Sequence, residues 1–411
     1  MNTRVLIPAL LLAGTCLAQD ADRPLRLLID RNLDRQLVEL VTIDGNVIRF
    51  IDASGRAVTA PTTQFVALAP IDQWTDANAA TNVFRRSGIV SRPGILELTD
   101  GQRFVGTASV VSAGEESLAW NYARLGLLAV PLENIRRVVL PRIMTANQAM
   151  PPLEDSDEDV LRLTNRDTLR GFIVSFGSDT SIELSDGSTI VTPMNVVDEM
   201  TLANPDEAPE GVRVWLTGGN VVDVESLRAI SGKADRIEAT LEAGPIVALS
   251  AASVPSEADD QPVGLRFEID RNQIEGINFD TQTLVPLASL PSNSPDRPLV
   301  IDSIGVAALG ARSILMPGPM RTTWTLPRGT SRLAITAELP LESRAWGNLD
   351  LIVLVDGVER ERHTLSAQSP EAHIRLDLAS ARELTLELDE GQFGPVQDRV
   401  ELREGILLIG R

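Results

Sequence analysis

The chain has 411 residues and a formal net charge of −20, from 57 acidic and 37 basic residues. Such acidity argues against nucleic acid and anionic membrane surfaces as partners. The apolar content of 43% is enough for packed cores. Because Val, Ile, Leu and Thr come in short runs broken by Asp-Gly, Gly-Gly and Pro, the sequence predicts an all-β fold.

The first 18 residues have the pattern of a secretory signal peptide. Arg4 gives a positive start, residues 5–12 are apolar, and small residues precede a cleavage site after Ala18. This predicts export to the periplasm or cell surface, with no membrane span after cleavage. Lipid anchoring at Cys16 and an uncleaved anchor are the alternatives. Since Cys16 is the only cysteine, the mature chain is expected to have no disulfide and no thiol nucleophile.

Four related β segments follow, at residues 25–70, 94–140, 160–203 and 211–280, the last of them with an insertion. The sequence LELTDGQRFVG at 96–106 aligns without gaps with LRLTNRDTLRG at 161–171. Three copies share a proline followed four residues later by an apolar residue: Pro61 and Phe65, Pro131 and Ile135, Pro193 and Val197. The repeats indicate modular units that can stack.

Each unit is expected to be a small barrel. In the clearest copy, hairpin signals such as Asp100-Gly101 separate five short strands, and residues 131–134 predict one short helical turn before the last strand. This pattern resembles SH3-like or Sm-like barrels. An acidic linker is predicted at 141–159 and a Pro/Ser-rich linker at 284–298. Repeats of this kind look similar to those of exported proteins from planctomycete-type bacteria.

The strand pattern of residues 299–411 predicts a jelly-roll β-sandwich. The residues WTLPRG at 324–329, RLAITA at 332–337, Asp356-Gly357 and LTLEL at 384–388 occur in an order that resembles the NPCBM family of carbohydrate-binding modules. That resemblance implies a galactose-binding-like fold and glycan recognition by this domain.

Residues suited to catalysis are sparse. The two histidines, His363 and His373, are ten positions apart on predicted β structure and lack the short spacing of a zinc site, so both are expected at the surface. No nucleophile elbow, phosphate-binding loop or dinucleotide fingerprint occurs, so no catalytic residue, cofactor or metal is predicted. A carboxylate pair could hydrolyse glycosides, but no sequence feature selects one.

The five tryptophans offer one candidate ligand contact. Trp120, Trp215 and Trp324 are predicted in the core, and Trp74 lies in a connector. Trp346 instead occurs in a polar loop, where an aromatic face could stack on a sugar ring. Arg344 and Asn348 are its expected hydrogen-bonding companions.

The sequence therefore predicts a non-catalytic exported binding or adaptor protein of the bacterial envelope. Weak glycan binding is assigned to the last domain, and the partner is an envelope glycan or another envelope protein. A structural or protein–protein interaction array without sugar binding is the alternative, and an envelope glycosidase or esterase comes third.

Overall fold

The computed structural model describes residues 25–71, 89–109, 116–145, 156–241, 246–248, 265–295, 297–301, 306–391, 394 and 398–410. Within these ranges the regular elements are β-strands and three-residue 3-10 turns, so the prediction of an all-β protein is confirmed. No helix within them is long and apolar enough to cross a membrane. The predicted signal peptide, Cys16 and Trp74 lie outside the described residues.

Unit 1, residues 25–70, has five antiparallel strands. Its elements are β1 (Leu25–Asp30), β2 (Arg35–Asp44), β3 (Val47–Asp52), β4 (Ala57–Pro61), a 3-10 turn (Thr62–Gln64) and β5 (Phe65–Pro70). Neighbouring strands pair in sequence, and β5 returns to pair with β1. The β2–β3 hairpin turns at Gly45, whose φ of +56° is a conformation that glycine adopts at no steric cost.

Unit 2, residues 94–139, repeats this pairing. Its elements are β7 (Gly94–Leu98), β8 (Arg103–Ala108), β9 (Ser117–Tyr122), β10 (Gly126–Pro131), a 3-10 turn (Leu132–Asn134) and β11 (Ile135–Val139). The last strand again pairs with the first. Two flanking strands, β6 (Ile89–Arg92) and β12 (Arg142–Thr145), pair with each other in a separate ribbon. The core holds fully buried Trp120 and an edge-to-face contact between Phe104 and Tyr122.

Unit 3, residues 159–201, and unit 4, residues 212–278, have the same strand order. Unit 3 contains β13 (Asp159–Leu163), β14 (Thr168–Ser175), β15 (Asp179–Glu183), β16 (Thr189–Pro193), a 3-10 turn (Met194–Val196) and β17 (Val197–Thr201). Unit 4 contains β18 (Val212–Leu216), β19 (Asn220–Ile230), β20 (Lys233–Leu241), β22 (Arg266–Asp270), a 3-10 turn (Arg271–Gln273) and β23 (Ile274–Asn278). The short strand β21 (Val247–Ala248), which follows β20 in the chain, pairs with β10 of unit 2.

The short helical turn expected before the last strand is present in all four units. In three of them it directly follows the proline, and the apolar residue four positions later opens the last strand with its side chain buried. Unit 4 has Asp270 in place of the proline, and its carboxylate accepts a hydrogen bond from the Asn272 amide at 2.9 Å. The assignment of these units to SH3-like or Sm-like barrels, and the predicted domain boundaries, stay predictions.

The units pair with each other through their last strands. In one pair, β5 of unit 1 lies antiparallel to β23 of unit 4. In the other pair, β11 of unit 2 lies antiparallel to β17 of unit 3. Units 2 and 4 link the two pairs, through a bridge between Arg103 of β8 and Val221 of β19 and through the pairing of β10 with β21. The apolar cores of the four units therefore merge into one cluster.

The C-terminal region is a sandwich of two antiparallel sheets. Its elements are β24 (Leu284–Pro286), β25 (Ser292–Asn293), β26 (Val300–Ile301), β27 (Ile314–Pro317), β28 (Met320–Thr325), β29 (Thr330–Glu338), β30 (Asn348–Val355), β31 (Val358–Ser366), β32 (Glu371–Asp377), β33 (Glu383–Asp389) and β34 (Arg399–Ile409), with 3-10 turns at Leu287–Ser289 and Ala308–Gly310. One sheet has the order β26-β27-β34-β29-β32, with β24 also on β34, and the other has the order β25-β28-β33-β30-β31. The inner faces share a separate core around Trp324.

Two stretches predicted as linkers contain paired strands. In 284–298, β24 pairs with β34 and β25 pairs with β28, while Leu284 and Leu287 are buried. Val285, Ala288 and Leu290 of the same stretch also pack, partly buried, against the sandwich core. In 141–159, β12 pairs with β6 at the start and Asp159 opens β13 at the end.

A third apolar cluster joins units 1 and 4 to the sandwich. It brings together Ile29 and Val66 of unit 1, Trp215 of unit 4, and Leu309 and Ile406 of the C-terminal region. An ion pair between Arg35 of β2 and Glu404 of β34 lies beside it. The sandwich is thus packed against the repeats.

Candidate functional site

The loop at residues 339–347 connects β29 to β30 at one end of the sandwich. Two successive turns shape it, since the Ser343 amide donates to the Pro340 carbonyl at 2.8 Å and the Gly347 amide donates to the Ser343 carbonyl at 2.7 Å. Gly347 cannot be replaced without movement, because an added Cβ would lie 2.8 Å from the Ser343 carbonyl oxygen. Ser343 itself is buried. The backbone of this loop is therefore well defined by its own contacts.

Trp346 projects from this loop with 65% of its surface exposed. Leu341, on the same loop, is 78% exposed. The core assignments of Trp120, Trp215 and Trp324 are confirmed, because all three are buried. Among the tryptophans that the structure describes, Trp346 alone is available to a ligand.

Glu338, the last residue of β29, anchors the loop to the sandwich through ion pairs. Its carboxylate is mostly buried and forms ion pairs with Arg344 of the loop and Arg403 of β34. The Arg344 Nε also donates to the Leu339 carbonyl at 3.2 Å. The guanidinium of Arg344 is thus engaged in bracing the loop, and part of its side chain stays exposed beside the Trp346 turn. Charge-assisted hydrogen bonds of this kind are stronger than neutral ones.

Asn348, the third predicted site residue, opens β30 opposite Ser366 of β31 and is half-buried. The structure therefore places all three predicted residues on one loop and its exit. Their roles in ligand binding stay predictions.

The two histidines lie on strands that follow each other in the chain, β31 and β32, but these strands belong to different sheets of the sandwich. His373 of β32 is largely exposed, as expected, and lies 3.4 Å from a Glu371 carboxylate oxygen. His363 of β31 is half-buried and 2.8 Å from a Glu361 carboxylate oxygen. Within the described residues, no group of three or more His, Cys, Asp or Glu side chains is arranged to hold a metal ion.

One buried carboxylate is not among the predicted site residues. Asp398, which opens the stretch leading into β34, is 3% exposed, and burial raises the pKa of its carboxyl group. Its backbone carbonyl accepts a hydrogen bond from the Gly318 amide at 2.6 Å.

Comparisons with known proteins give structural likenesses at low identity. No family model matches the chain, and no curated protein matches it. One similar solved structure is the CBM51 module of a Clostridium perfringens GH95 protein in complex with methyl-galactose, at 11% identity and a TM-score of 0.27, covering 30% of this chain and 99% of that one. Another is the CBM35 module from Paenibacillus barcinonensis, at 15% identity and a TM-score of 0.21, covering 31% of this chain and 99% of that one.

A third similar structure contains tandem CBM51 modules of a family 98 glycoside hydrolase from Streptococcus pneumoniae. It shows 8% identity and a TM-score of 0.24, covering 79% of this chain and 94% of that one. These neighbours are carbohydrate-binding modules. The chain itself is an all-β protein with a β-sandwich at its C-terminal end.

Proposed function

We propose that this protein is a non-catalytic, exported binding protein of the bacterial envelope whose C-terminal sandwich recognises a glycan through Trp346. The observation that carries the proposal is the exposure of this one tryptophan on a loop that is braced from below. Tryptophan is enriched among the residues that contribute most of the binding energy at interfaces.

The chemistry of the loop suits a sugar ring. The C–H face of a pyranose is apolar and can stack on the indole ring, and Leu341 extends the apolar surface. The hydroxyl groups at the ring edge need hydrogen-bonding partners, which the exposed part of Arg344 and the Asn348 amide can supply. Because the ion pairs of Glu338 already order the loop, little conformational entropy is lost when a ligand binds.

The test is a glycan array followed by calorimetry with the full mature chain. The Trp346→Ala variant is expected to lose about tenfold or more in affinity, since an aromatic hot spot contributes about 2 kcal/mol or more. Trp346→Phe should recover part of the loss, because it restores an aromatic face. The matched control is Phe172→Ala, which removes an aromatic side chain that is 56% exposed on unit 3.

Two results would overturn the glycan proposal. One is the absence of binding to any glycan by the folded chain. The other is equal affinity in the Trp346→Ala and Phe172→Ala variants, which would place the sugar site elsewhere.

Export is tested by the mature N-terminus. Cleavage after Ala18 makes Gln19 the first residue, and intact-mass spectrometry of the protein purified from its native host would reveal this mass. Retention of a lipid on Cys16 would support the anchored form, and an unprocessed Met1 would contradict both.

The alternative role is protein–protein interaction through the repeats. One observation favours it: Phe172 and Val174 of β14 and Val191 of β16 are exposed on the outer side of unit 3. A defined envelope partner that binds the wild-type chain and is lost in a Phe172→Ser, Val191→Ser double variant, with Trp346→Ala unaffected, would establish this role.

A further inference from the structure

A cleft of about 410 Å³ lies between unit 1 and unit 4. The β2–β3 hairpin and the 3-10 turn of unit 1 form one side. The beginning of β18 and the middle of β19 form the other side, and the chain after β23 closes the end. Its volume falls within the range of about 300–1,000 Å³ that is usual for small-ligand pockets.

The walls of the cleft are fixed by backbone hydrogen bonds between the two units. The Gly45 amide donates to the Leu227 carbonyl at 2.8 Å, and the Phe279 amide donates to the Val66 carbonyl at 3.0 Å. The third side is held where the Thr281 amide donates to the Gly211 carbonyl at 3.2 Å. Because these bonds tie the β2–β3 turn and the chain before β18 and after β23 to one another and to strands β5 and β19, the cleft exists before any ligand arrives.

The lining combines an apolar base with an anionic rim. Ile43, Phe65 and Leu227 are buried beneath it. Its charged lining residues are the carboxylates Glu210, Glu225 and Asp280 and the guanidinium of Arg31. The Arg31 Nε donates to the Thr63 carbonyl at 2.7 Å, which directs this guanidinium to the wall of unit 1. The remaining excess of carboxylate favours a cation in the cleft.

The carboxylate of Glu225 is not required by the fold of the repeat. Glu225 follows Val224, which pairs with the first residue of β18. In unit 2 the first residue of β7 pairs with Gly106, and the next residue is Thr107. In unit 3 the first residue of β13 pairs with Gly171, and the next residue is Phe172. The strand pairing therefore tolerates a hydroxyl, an aromatic ring or a carboxylate there, and the carboxylate occurs where the cleft is.

We propose that the cleft between unit 1 and unit 4 binds an organic cation with an aliphatic body, such as a polyamine or the lysine side chain of a peptide. The alkyl part packs on Ile43, Phe65 and Leu227, and the ammonium group is held by the carboxylates of Glu210 and Glu225. This site is separate from the Trp346 loop and does not depend on glycan binding.

Isothermal titration calorimetry with the full mature chain tests the proposal. The probes are spermidine and a terminally blocked Gly-Lys-Gly peptide, measured at physiological ionic strength so that diffuse attraction to the acidic chain is screened. Fully N-acetylated spermidine, which keeps the alkyl body and lacks the charge, is the negative probe. Tighter binding of spermidine than of the peptide indicates a polyamine as the ligand. Tighter binding of the peptide indicates a lysine side chain.

The Glu210→Gln, Glu225→Gln double variant is expected to weaken cation binding by about tenfold or more, which corresponds to about 1.4 kcal/mol. The matched control is Glu183→Gln, which removes an exposed carboxylate of unit 3. Trp346→Ala should bind the cation as the wild-type chain does.

The proposal is overturned if neither cation binds at millimolar concentration. It is also overturned if the cleft variant and the Glu183→Gln control bind with equal affinity, or if acetylated spermidine binds as well as spermidine. Thermal melting of each variant confirms that it is folded before its affinity is compared.

Discussion

The Arg213 guanidinium of unit 4 donates to the backbone carbonyl of Asp100 in unit 2 at 2.6 Å. Its Nε and Nη2 also donate to the Asp223 carboxylate, each at 2.7 Å. A second contact runs beside it, where the Asp223 amide donates to the Gln102 side chain at 3.0 Å. The Thr-Asp-Gly turn of unit 2 is therefore both a hairpin turn and a docking element for unit 4.

Replacing Arg213 by Met should destabilise the protein strongly. The carboxylate of Asp223 is 3% exposed, and removal of its guanidinium partner leaves a buried negative charge without that cation. Breaking such a pair from one side costs about 3–5 kcal/mol. Urea unfolding measures the loss.

The control for that prediction is Arg228→Met, at an exposed position of β19, the strand that carries Asp223; it should change stability by less than about 0.5 kcal/mol. Equal destabilisation by both substitutions would contradict the role given to Arg213.

A second prediction concerns the ion pairs between units 2 and 3. Glu199 of β17 forms ion pairs with Arg137 of β11 and Arg162 of β13, and the side chains of Arg137 and Glu199 are each 5% exposed. Glu199→Gln should therefore cost about 3–5 kcal/mol in unfolding free energy. The double variant Arg137→Met, Glu199→Leu should recover most of the loss, because apolar pairs often replace buried ion pairs without penalty. A double-mutant cycle that shows simple additivity would refute this coupling.

The lowered pKa of Asp52 predicts that the stability of unit 1 decreases at acid pH. A hydrogen bond from the Ser54 hydroxyl, followed by one from the Arg56 amide, lowers the pKa of this carboxyl from 3.8 to about 2. Because the folded pKa is depressed, the stabilisation is present above the unfolded pKa and is lost as pH falls through the window between these values. Ser54→Ala should raise the pKa of Asp52, as measured by carbon-detected NMR titration.

A matched control for this titration exists in unit 3. There the Ser188 hydroxyl similarly lowers the pKa of Asp186. Ser188→Ala should raise the pKa of Asp186 and leave that of Asp52 unchanged. If both serine variants left the pKa of Asp52 near 2, the hydroxyl contact would not be its cause.

Substitution of the buried Trp324 and of the exposed Trp346 should change the stability of the protein by different amounts. Trp324→Ala removes a fully buried ring from the sandwich core and should cost about 3–5 kcal/mol. Trp346→Ala removes an exposed ring and should change stability by less than about 0.5 kcal/mol. Thermal unfolding of both variants measures the difference, and a large destabilisation by Trp346→Ala would assign its ring to packing.

Local features of the fold could be read from the sequence. Gly45 and Gly101 have φ values of +56° and +83°, as the Asp-Gly hairpin signals require. The 3-10 turn of Leu132–Asn134 follows Pro131 as its spacing indicates, and Ile135 opens the next strand with its side chain buried. Such features depend on a few neighbouring residues, so the sequence carries them directly.

The pairing between units could not be read in this way. Ile277 pairs with Leu68, and Val139 pairs with Glu199, yet no local pattern chooses these partners over other strands of similar composition. Register between distant strands depends on the packing of whole faces. The cleft was missed for the same reason, since its walls come from segments that are far apart in the chain.

The candidate site was predicted in part. The polar surroundings of Trp346 in the sequence indicated exposure, which the structure bears out. The bracing of Arg344 by Glu338 was not foreseen, because it depends on where β29 ends and on the approach of Arg403 from β34.

The pairing of β5 with β23 also sets an order for folding during synthesis. The ribosome completes unit 1 long before it reaches unit 4, so one edge of β5 waits for a partner while some 200 residues are still to be made. β5 is buried throughout most of its length in the finished protein, and an apolar strand with an open edge invites association with other chains. This edge of β5 is therefore closed only when β23 of unit 4 has been made and pairs with it.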